Sequence, residues 1–411
     1  MKILWLSHFI PYPPKGGVLQ RGYHLLKQTA KHHDVHLLAF NQKDLIRPLF
    51  NSLEEGIQEA DVELNKFCKS IKFVPLPCDD SAFKKYFMAL KSLVTPTPYT
   101  MNWLISDEYR QQLRKILKET DFDYIHFDTI SLAPFKDECG DTLTSLDHHN
   151  IESHMLLRRA SKESNWIKKL YYYQEGIRLE KFEKKHCPEF GFNFTCSDID
   201  TERLQGISPS SKVHTIANGV DTEYFVPNNT NITENKLIFV GTLSWYPNIE
   251  AVLFIMENIW PLVKNKFPDA SIDIIGANPP EQIVEYAKED RNFRVHGFVD
   301  DIIPYLNEAK CYVCPIKDGG GTKLKIVDAL SIGKAIIADE IACEGIDVVD
   351  NKDVIFASSG EEYLAAISKV FTDNNLREEL QKSARKVAQE TYSYDMIGKQ
   401  LSNLFISYSK K

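Results

Sequence analysis

The sequence predicts an α/β protein built as two doubly wound, parallel-sheet domains, and three observations carry that prediction. Short apolar segments alternate with amphipathic ones along nearly the whole chain, the rhythm of consecutive βαβ units. That rhythm halts at a polar, turn-rich stretch, "VPNNTNITEN", and restarts beyond it. The length of 411 residues exceeds what one core comfortably holds and suits two domains of ordinary size.

The elements follow in order. "KILWLSHF" reads as a first strand, Val18 to His32 as a helix, then "VHLLAF", "FDYIHFD" and "TLTSLDHH" as further strands. After "HTIANGVD" comes "KLIFVGTL", then a helix through "IEAVLFIMENIWPLVKNK", and "ASIDIIGA". A helix through "EQIVEYAKE" leads to "FRVHGFV" and "KCYVCPI", then to a helix from about Leu324 and to "KAIIADE". The join falls between Asn218 and Asn231, which assigns residues 1–215 to a first domain and 216–390 to a second. Two such domains facing each other across a cleft would turn the carboxyl ends of both sheets toward one ligand site, so chemistry belongs in the βα loops. No repeat of solenoid period and no low-complexity segment interrupts the pattern.

Composition narrows the function classes. With 43% hydrophobic and 26% charged residues the chain has ordinary material for a core. A net charge of -8 argues against nucleic-acid binding, which depends on cationic neutralisation of phosphates. "MKILWLSHFIPYPP" is too brief and too β-like for a signal peptide, and no run approaches the roughly 20 apolar residues of a spanning helix. The expectation is a cytoplasmic protein, able to touch a membrane from the side. The eight cysteines are scattered and read as reduced thiols; Cys311 and Cys314 in "CYVCPI" read as buried strand residues, not as a zinc or redox motif.

The loops hold the candidate site. In "IPYPPKGGVLQRG", Gly16 and Gly17 precede a helix, where glycine admits a close ligand and the helix start attracts an anion; the alternative is a plain turn. Neither GxGxxG nor GxxxxGK[ST] follows this strand, which disfavours a nicotinamide enzyme or a P-loop NTPase. In "HHNIESH", either His148 or His149 could reach a substrate hydroxyl. DxD triplets at Asp121–Asp123 and Asp198–Asp200 could hold a divalent cation, but such triplets are common in an acidic chain and no metal is assigned. In "FVGTLSWYPN", Gly241 and Thr242 directly follow a strand, the position for a backbone amide aimed at a phosphate. "DGGGTKLKIVDAL" adds Gly319 to Gly321 as a source of N–H groups, Lys323 and Lys325 as charge, and a helix start near Leu324. Asp328, a turn into that helix, could accept from ribose hydroxyls; the alternative for the whole stretch is a capped helix with solvated lysines.

Taken in order, "GG", "HN.E", "NGVD..YF.P", "FVGTLSWYPN", "HGFVDD" and "GGGTKLKIVDAL..GKAIIA" resemble the retaining glycosyltransferases of family 4, in the glycine-rich-loop subgroup. The resemblance implies a GT-B fold of two Rossmann-like domains, with the acceptor mainly on the first and a nucleotide-sugar donor, UDP- or GDP-linked, mainly on the second. It implies no cofactor and no metal. By this resemblance Gly17 faces the donor phosphates with Gly16 beside it, His149 lies near the transferred sugar, and Gly241 contacts phosphate. Phe298 and Val299 occupy the loop whose backbone meets the nucleobase. Gly320, Gly321, Thr322 and Lys323 belong to the donor loop, and Asp328 stands at the second carboxylate of the family's E-x7-E motif. The closing "YSYDMIGKQLSNLF", within residues 391–411, resembles the helix that crosses back to the first domain.

The chain departs from the pattern in three places. Gly320 replaces the first carboxylate, Asp328 is shorter than Glu, and positions 243 to 250 hold no cation where the family has Arg and Lys. Lys325, or Lys323, is therefore expected to supply the missing charge. In the mechanism the resemblance implies, fixed amides and Lys325 stabilise the departing diphosphate while that diphosphate helps to take the acceptor proton, and His149 orients the sugar or stabilises the developing cation. The expected acceptor is a glycan or a polyprenol-linked intermediate of envelope polysaccharide or glycoconjugate synthesis. "FKKYFMALKSLVTPTPY" and "MLLRRASKESNWIKKLYYY" interleave cations with aromatics, as segments at an anionic membrane surface do. Two other readings fit the same architecture: a nucleotide-sugar 2-epimerase, or a non-catalytic donor-binding or partner subunit of a glycosyltransferase complex.

Overall fold

In a computed structural model, residues 1–15, 17–77, 88, 92, 95, 97–228, 232–318 and 322–409 are described. The chain forms two compact units, Met1–Ala217 with Ile397–Lys411, and Asn218–Met396. The sequence boundaries at 215/216 and 390/391 thus move to 217/218 and 396/397. Residues just before 397 stay with the second unit because Val220 pairs with Ser393 and the Tyr394 amide donates to the Val220 carbonyl.

The first unit is a seven-stranded sheet of β1 (Lys2–Ser7), β2 (Asp34–Asn41), β3 (Ser70–Pro75), β4 (Tyr124–Phe127), β5 (Leu143–His148), β6 (Phe192–Thr195) and β7 (Val213–Thr215). Its order is β3-β2-β1-β4-β5-β6-β7, and every neighbouring pair is parallel. The strands read as near-continuous apolar runs because helices cover both faces: Leu4, Leu6, Leu38, Phe40, Ile125 and Phe127 are fully buried. Phe40 stacks on Tyr109 at 4.1 Å, and the Tyr109 hydroxyl donates to the Leu38 carbonyl, 3.0 Å.

The second unit holds β8 (Lys236–Val240), β9 (Ser271–Ile275), β10 (Phe293–Gly297), β11 (Cys311–Cys314), β12 (Ala335–Ala338) and β13 (Ile355–Phe356), in the all-parallel order β10-β9-β8-β11-β12-β13. Cys311 and Cys314 are free, buried thiols on β11, and burial pushes the Cys314 thiol up to about 11. The helix expected through "IEAVLFIMENIWPLVKNK" is interrupted: α-helix Tyr246–Phe254 passes through a π-turn, Ile255–Ile259, into Trp260–Lys266. Pro261 explains the change of pitch, since it has no N–H to continue the α ladder.

In each sheet the strand order reverses once, between β1 and β4 and between β8 and β11. Loops that leave a parallel sheet at such a reversal diverge to opposite faces and leave a crevice at the carboxyl ends. The Gly16–Gly17 loop follows β1, Gly241 follows β8, and "DGGGTKLK" follows β11. The topology thus puts these motifs at the two reversals.

Candidate active site

In the second unit the end of β8 is built around one cation. The Gly241 N–H donates to the Ile275 carbonyl, 2.8 Å, so this amide extends the sheet and is not aimed at a phosphate, as its position in the sequence had suggested. What Gly241 provides is space. A Cβ there would fall onto the Lys325 ammonium and lie 2.9 Å from Asn248 Cγ. Gly276 lets the backbones close up beside it, for a Cβ would run into the Gly241 carbonyl.

Lys325 enters from the other side of the reversal, in the first turn of helix Leu324–Ser331. Its Nζ donates to Asn248 Oδ1, 2.5 Å, and lies 5.1 Å from the centre of the Phe239 ring. The other end of the Asn248 amide donates to the Thr242 carbonyl, 2.7 Å. Asn248, 5% exposed, therefore fixes the cation to the loop after β8. Burial holds the Lys325 amine down at about 8, and Asp328 is among the groups pulling it back up. The Tyr246 hydroxyl donates to Asp318 Oδ2, 2.9 Å, which ties the lead-in of the glycine loop to the start of helix Tyr246–Phe254.

The other donor-side positions are distributed. Lys323 lies 3.7 Å from Glu344 Oε2, turned toward that carboxylate. Thr322 and Asp328 are partly buried, and Asp328 sits one turn into the helix. Phe298, 58% exposed, and Val299 follow edge strand β10, whose last residue, Gly297, needs its positive φ of 67° and accepts from the Gly276 amide, 2.9 Å. Gly16, Gly320 and Gly321 lie outside the described residues; Gly17 opens helix Gly17–Ala30.

In the first unit the carboxyl ends of β1, β4 and β5 bring together groups far apart in sequence. Asp128, 1% exposed, accepts from Ser7 Oγ (2.6 Å), from the His8 N–H (3.1 Å) and from His8 Nδ1 (2.9 Å). Burial pushes its carboxyl up, but His8 and Ser7 outweigh this and leave it below its ordinary value. One strand over, Asp147 receives Arg21 through Nε (2.9 Å) and Nη2 (2.8 Å), a bidentate pair with both side chains buried. Arg21 Nη1 also donates to the Ile216 and Ala217 carbonyls. This guanidinium is a structural clasp on the chain where it leaves the unit.

The two histidines separate clearly. His148, on β5, is 2% exposed and bonded through Nε2 to Asn193 Oδ1, 3.2 Å: a core residue. His149 lies past the strand end, partly buried, with its ring 5.9 Å from that of His8 and 6.4 Å from that of Phe9. Its Nε2 meets no partner among the described residues, and burial lowers the imidazole to about 4, which keeps it neutral. Glu152 begins the next helix, Glu152–Lys162; burial raises its carboxyl to about 7 while His8 draws it down.

Both DxD triplets serve local structure where the structure resolves their bonds. Asp123 accepts from the Lys2 amide, Asp198 from Thr215 Oγ1, and Asp200 from Ser197 Oγ while pairing with Arg203. Sequence reasoning missed His8, Asp128 and Asn248. The available signal was that His8 and Asp128 lie immediately beyond strands at a sheet reversal, and that Asn248 lies in the first turn of the helix that follows β8.

Residues 234–373 match the family described as glycosyl transferases group 1, and this span contains β8, Asn248 and Lys325. The chain is a glycosyltransferase. Among curated proteins it is 24% identical over 391 residues to an uncharacterised 44.6 kDa protein of the cps region of Klebsiella pneumoniae, covering 89% of this chain and 92% of that one. It is 24% identical over 183 residues to an uncharacterised glycosyltransferase of Methanocaldococcus jannaschii, 41% of this chain and 44% of the other. Among solved structures, sucrose-phosphate synthase from Thermosynechococcus elongatus superposes with a TM-score of 0.71 at 14% identity, over 99% of both chains. HepE of Anabaena, in complex with UDP, gives 0.64 at 14% identity over 99% of this chain and 100% of that one. The fold is GT-B.

Proposed function

We propose that this glycosyltransferase moves a sugar, with retention of configuration and without a metal, from a UDP- or GDP-linked donor to a glycan or polyprenol-linked acceptor of envelope polysaccharide synthesis. The observation that carries the donor side is Lys325, held by Asn248 against Gly241 inside the region of the family match. Breaking the anomeric C–O bond leaves growing negative charge on the diphosphate, and a buried ammonium held in place beforehand stabilises that charge with little reorganisation. It also answers the absence of cations at 243 to 250, the positions where the resembled family carries them. HepE with its UDP supports the choice of nucleotide, and the cps-region relative and the structural likeness to WaaG, a glycosyltransferase involved in lipopolysaccharide biosynthesis, support the choice of pathway.

The acceptor reading extends to a peripheral site on an anionic membrane. "FKKYFMALKSLVTPTPY" falls largely outside the described residues. In the other basic-aromatic stretch, helix Trp166–His186 exposes Trp166, Ile167, Leu170 and Tyr173, at 55 to 72% each. At 100° per residue these share one face, with Lys169 at its margin and Arg158, Arg159 and Lys162 on the preceding helix, in a chain of net charge -8. No described helix is long and apolar enough to cross a membrane, so contact from the side is the mode this face suits.

The test is transfer from UDP- and GDP-sugars to lipid-linked and free glycans in excess EDTA, with the product's anomeric configuration read by proton NMR. Retained configuration and undiminished rate are expected; an inverted product or loss of rate in EDTA rejects this reading. Donor isomerised without any acceptor selects the epimerase instead. Co-sedimentation with phosphatidylglycerol vesicles, abolished by replacing Trp166, Ile167 and Leu170 with Ser, tests the membrane face; binding that survives the change rejects it.

A further inference from the structure

The loop after β8 carries an indole that no element of the second unit covers. Thr242 to Trp245 close a turn, in which the Trp245 N–H donates to the Thr242 carbonyl, 3.3 Å. The Trp245 carbonyl in turn accepts from the Asn248 and Ile249 amides, at 3.0 and 3.2 Å, where helix Tyr246–Phe254 begins. The backbone is thus fixed on both sides of a side chain that stays 47% exposed, 5.2 Å from the Tyr246 ring. A single exposed apolar side chain needs no explanation, but this one has a particular position. On one side Asn248 joins the turn to Lys325, through the Thr242 carbonyl and the Lys325 ammonium. On the other the Tyr246 hydroxyl joins it to Asp318, 3% exposed, at the end of the segment that follows β11. Trp245 therefore sits at the β8–β11 reversal, on a loop strung between the cation of the donor site and the lead-in of the glycine loop.

The topology also gives the donor a direction. A nucleotide sugar has its diphosphate in the middle, with the nucleoside on one side and the sugar on the other. The order β10-β9-β8-β11 puts exposed Phe298, just past β10, two strands from β8. At about 4.8 Å per strand that is about 10 Å, within reach of a nucleoside whose diphosphate lies on Lys325. With the nucleoside running toward β10, the sugar is left at the reversal, beside Trp245.

We infer that Trp245 is a donor-specificity residue, whose indole packs on the sugar of the donor and selects neutral pyranoses over uronic acids. The inference rests on the donor reading proposed above and deepens it by naming the class of sugar. An indole face suits the C–H face of a pyranose, burying apolar area on both while the ring hydroxyls stay free at the edge. A sugar carboxylate would find no partner there. Positions 242 to 250 hold no cation, Lys325 is committed to the diphosphate, and Lys323 is turned toward Glu344. The acidic group tied to this loop, Asp318, would repel a uronate and can only favour a neutral sugar.

The test is calorimetric titration of the full chain, as wild type, Trp245→Ala and Trp245→Phe. The probes are UDP and GDP alone, then UDP-glucose, UDP-galactose, UDP-N-acetylglucosamine, GDP-mannose and GDP-fucose, with UDP-glucuronate as the acidic comparison. The Trp245 side chain makes no capping bond to its helix, so its removal leaves the fold in place, and an unchanged Kd for the bare nucleotide verifies this. Wild type should bind at least one neutral nucleotide sugar more tightly than UDP-glucuronate. In Trp245→Ala the ratio of Kd for that nucleotide sugar to Kd for its bare nucleotide should rise about 10-fold, as loss of an aromatic contact gives, and Trp245→Phe should recover most of it. The indole emission of wild type should shift further with the nucleotide sugar than with the nucleotide, and Trp245→Phe should lose that difference. An unchanged ratio in Trp245→Ala, equal weakening of nucleotide and nucleotide sugar, or a preference of wild type for UDP-glucuronate overturns the inference. So does binding of UDP or GDP with no binding of any neutral nucleotide sugar. A wild type that binds neither UDP nor GDP rejects the donor reading itself, and the inference with it.

Discussion

Lys325 is kept where its charge is disfavoured. Its amine is lowered to about 8 by burial, so between about 8 and the ordinary 10.5 the unfolded chain binds a proton that the folded one does not. Stability from this group is therefore present at high pH and is lost as pH falls through 8, the opposite of what a lysine with a carboxylate partner gives. A charge retained at neutrality against that cost calls for a use, and stabilising the departing diphosphate supplies one. Turnover should fall as pH rises through about 8, when the ammonium deprotonates. Lys325→Arg should abolish this alkaline limb, since guanidinium stays charged, and Lys325→Ala should lower kcat by about 10²- to 10³-fold. Asn248→Ala removes the oxygen that favours the charged form, so its alkaline limb should appear at lower pH. An alkaline limb common to wild type and Lys325→Arg would assign the titration elsewhere. At this scale the sequence was informative about Lys325, whose place beside a glycine run and a helix start is local. It was uninformative about His8 and Asp128, which are 120 residues apart, because their meeting depends on β4 lying beside β1.

Elements were legible where periodicity is strong and connections are short. The apolar runs of β1, β2, β4, β5, β8, β9 and β11 reveal themselves because strands buried on both faces read as continuous apolar segments. The edge strands β3, β7 and β13 do not, since their residues are largely half-exposed or, in β13, too few to show a pattern. The closing helix, Tyr394–Ser409, was expected to return to the first domain, and from Ile397 onward it belongs to the first unit. Phe405 is fully buried there, 4.6 Å from the Tyr124 ring, and Tyr408 stacks on Phe192 at 4.3 Å while sharing a hydrogen bond with His214. Gly398 fits because a Cβ would fall onto the Gln28 side chain, so the helix packs close to helix Gly17–Ala30. Phe405→Ala should cost about 3–5 kcal/mol in chemical denaturation, the range for truncating a buried aromatic. A loss below about 1 kcal/mol, typical of a surface change, would mean that this helix does not contribute to the core.

At the scale of the whole molecule, the division into two units makes ligand effects separable. Each unit has its own sheet and its own buried core, so thermal unfolding should show two transitions or one broadened by their difference. A ligand that binds only the folded second unit stabilises that unit by RT ln(1 + [L]/Kd), about 2.7 kcal/mol at a hundred times Kd. UDP or GDP should therefore raise the transition of Asn218–Met396 and leave that of the first unit in place, as read by calorimetry with Phe405→Ala marking which transition belongs to the first unit. Lys325→Ala should weaken the nucleotide shift, since one charge on the diphosphate is lost, whereas His8→Ala should leave it intact because His8 belongs to the first unit. A nucleotide shift confined to the transition marked by Phe405→Ala would place the nucleotide on the first unit and remove the donor role from Lys325 and Asn248 together.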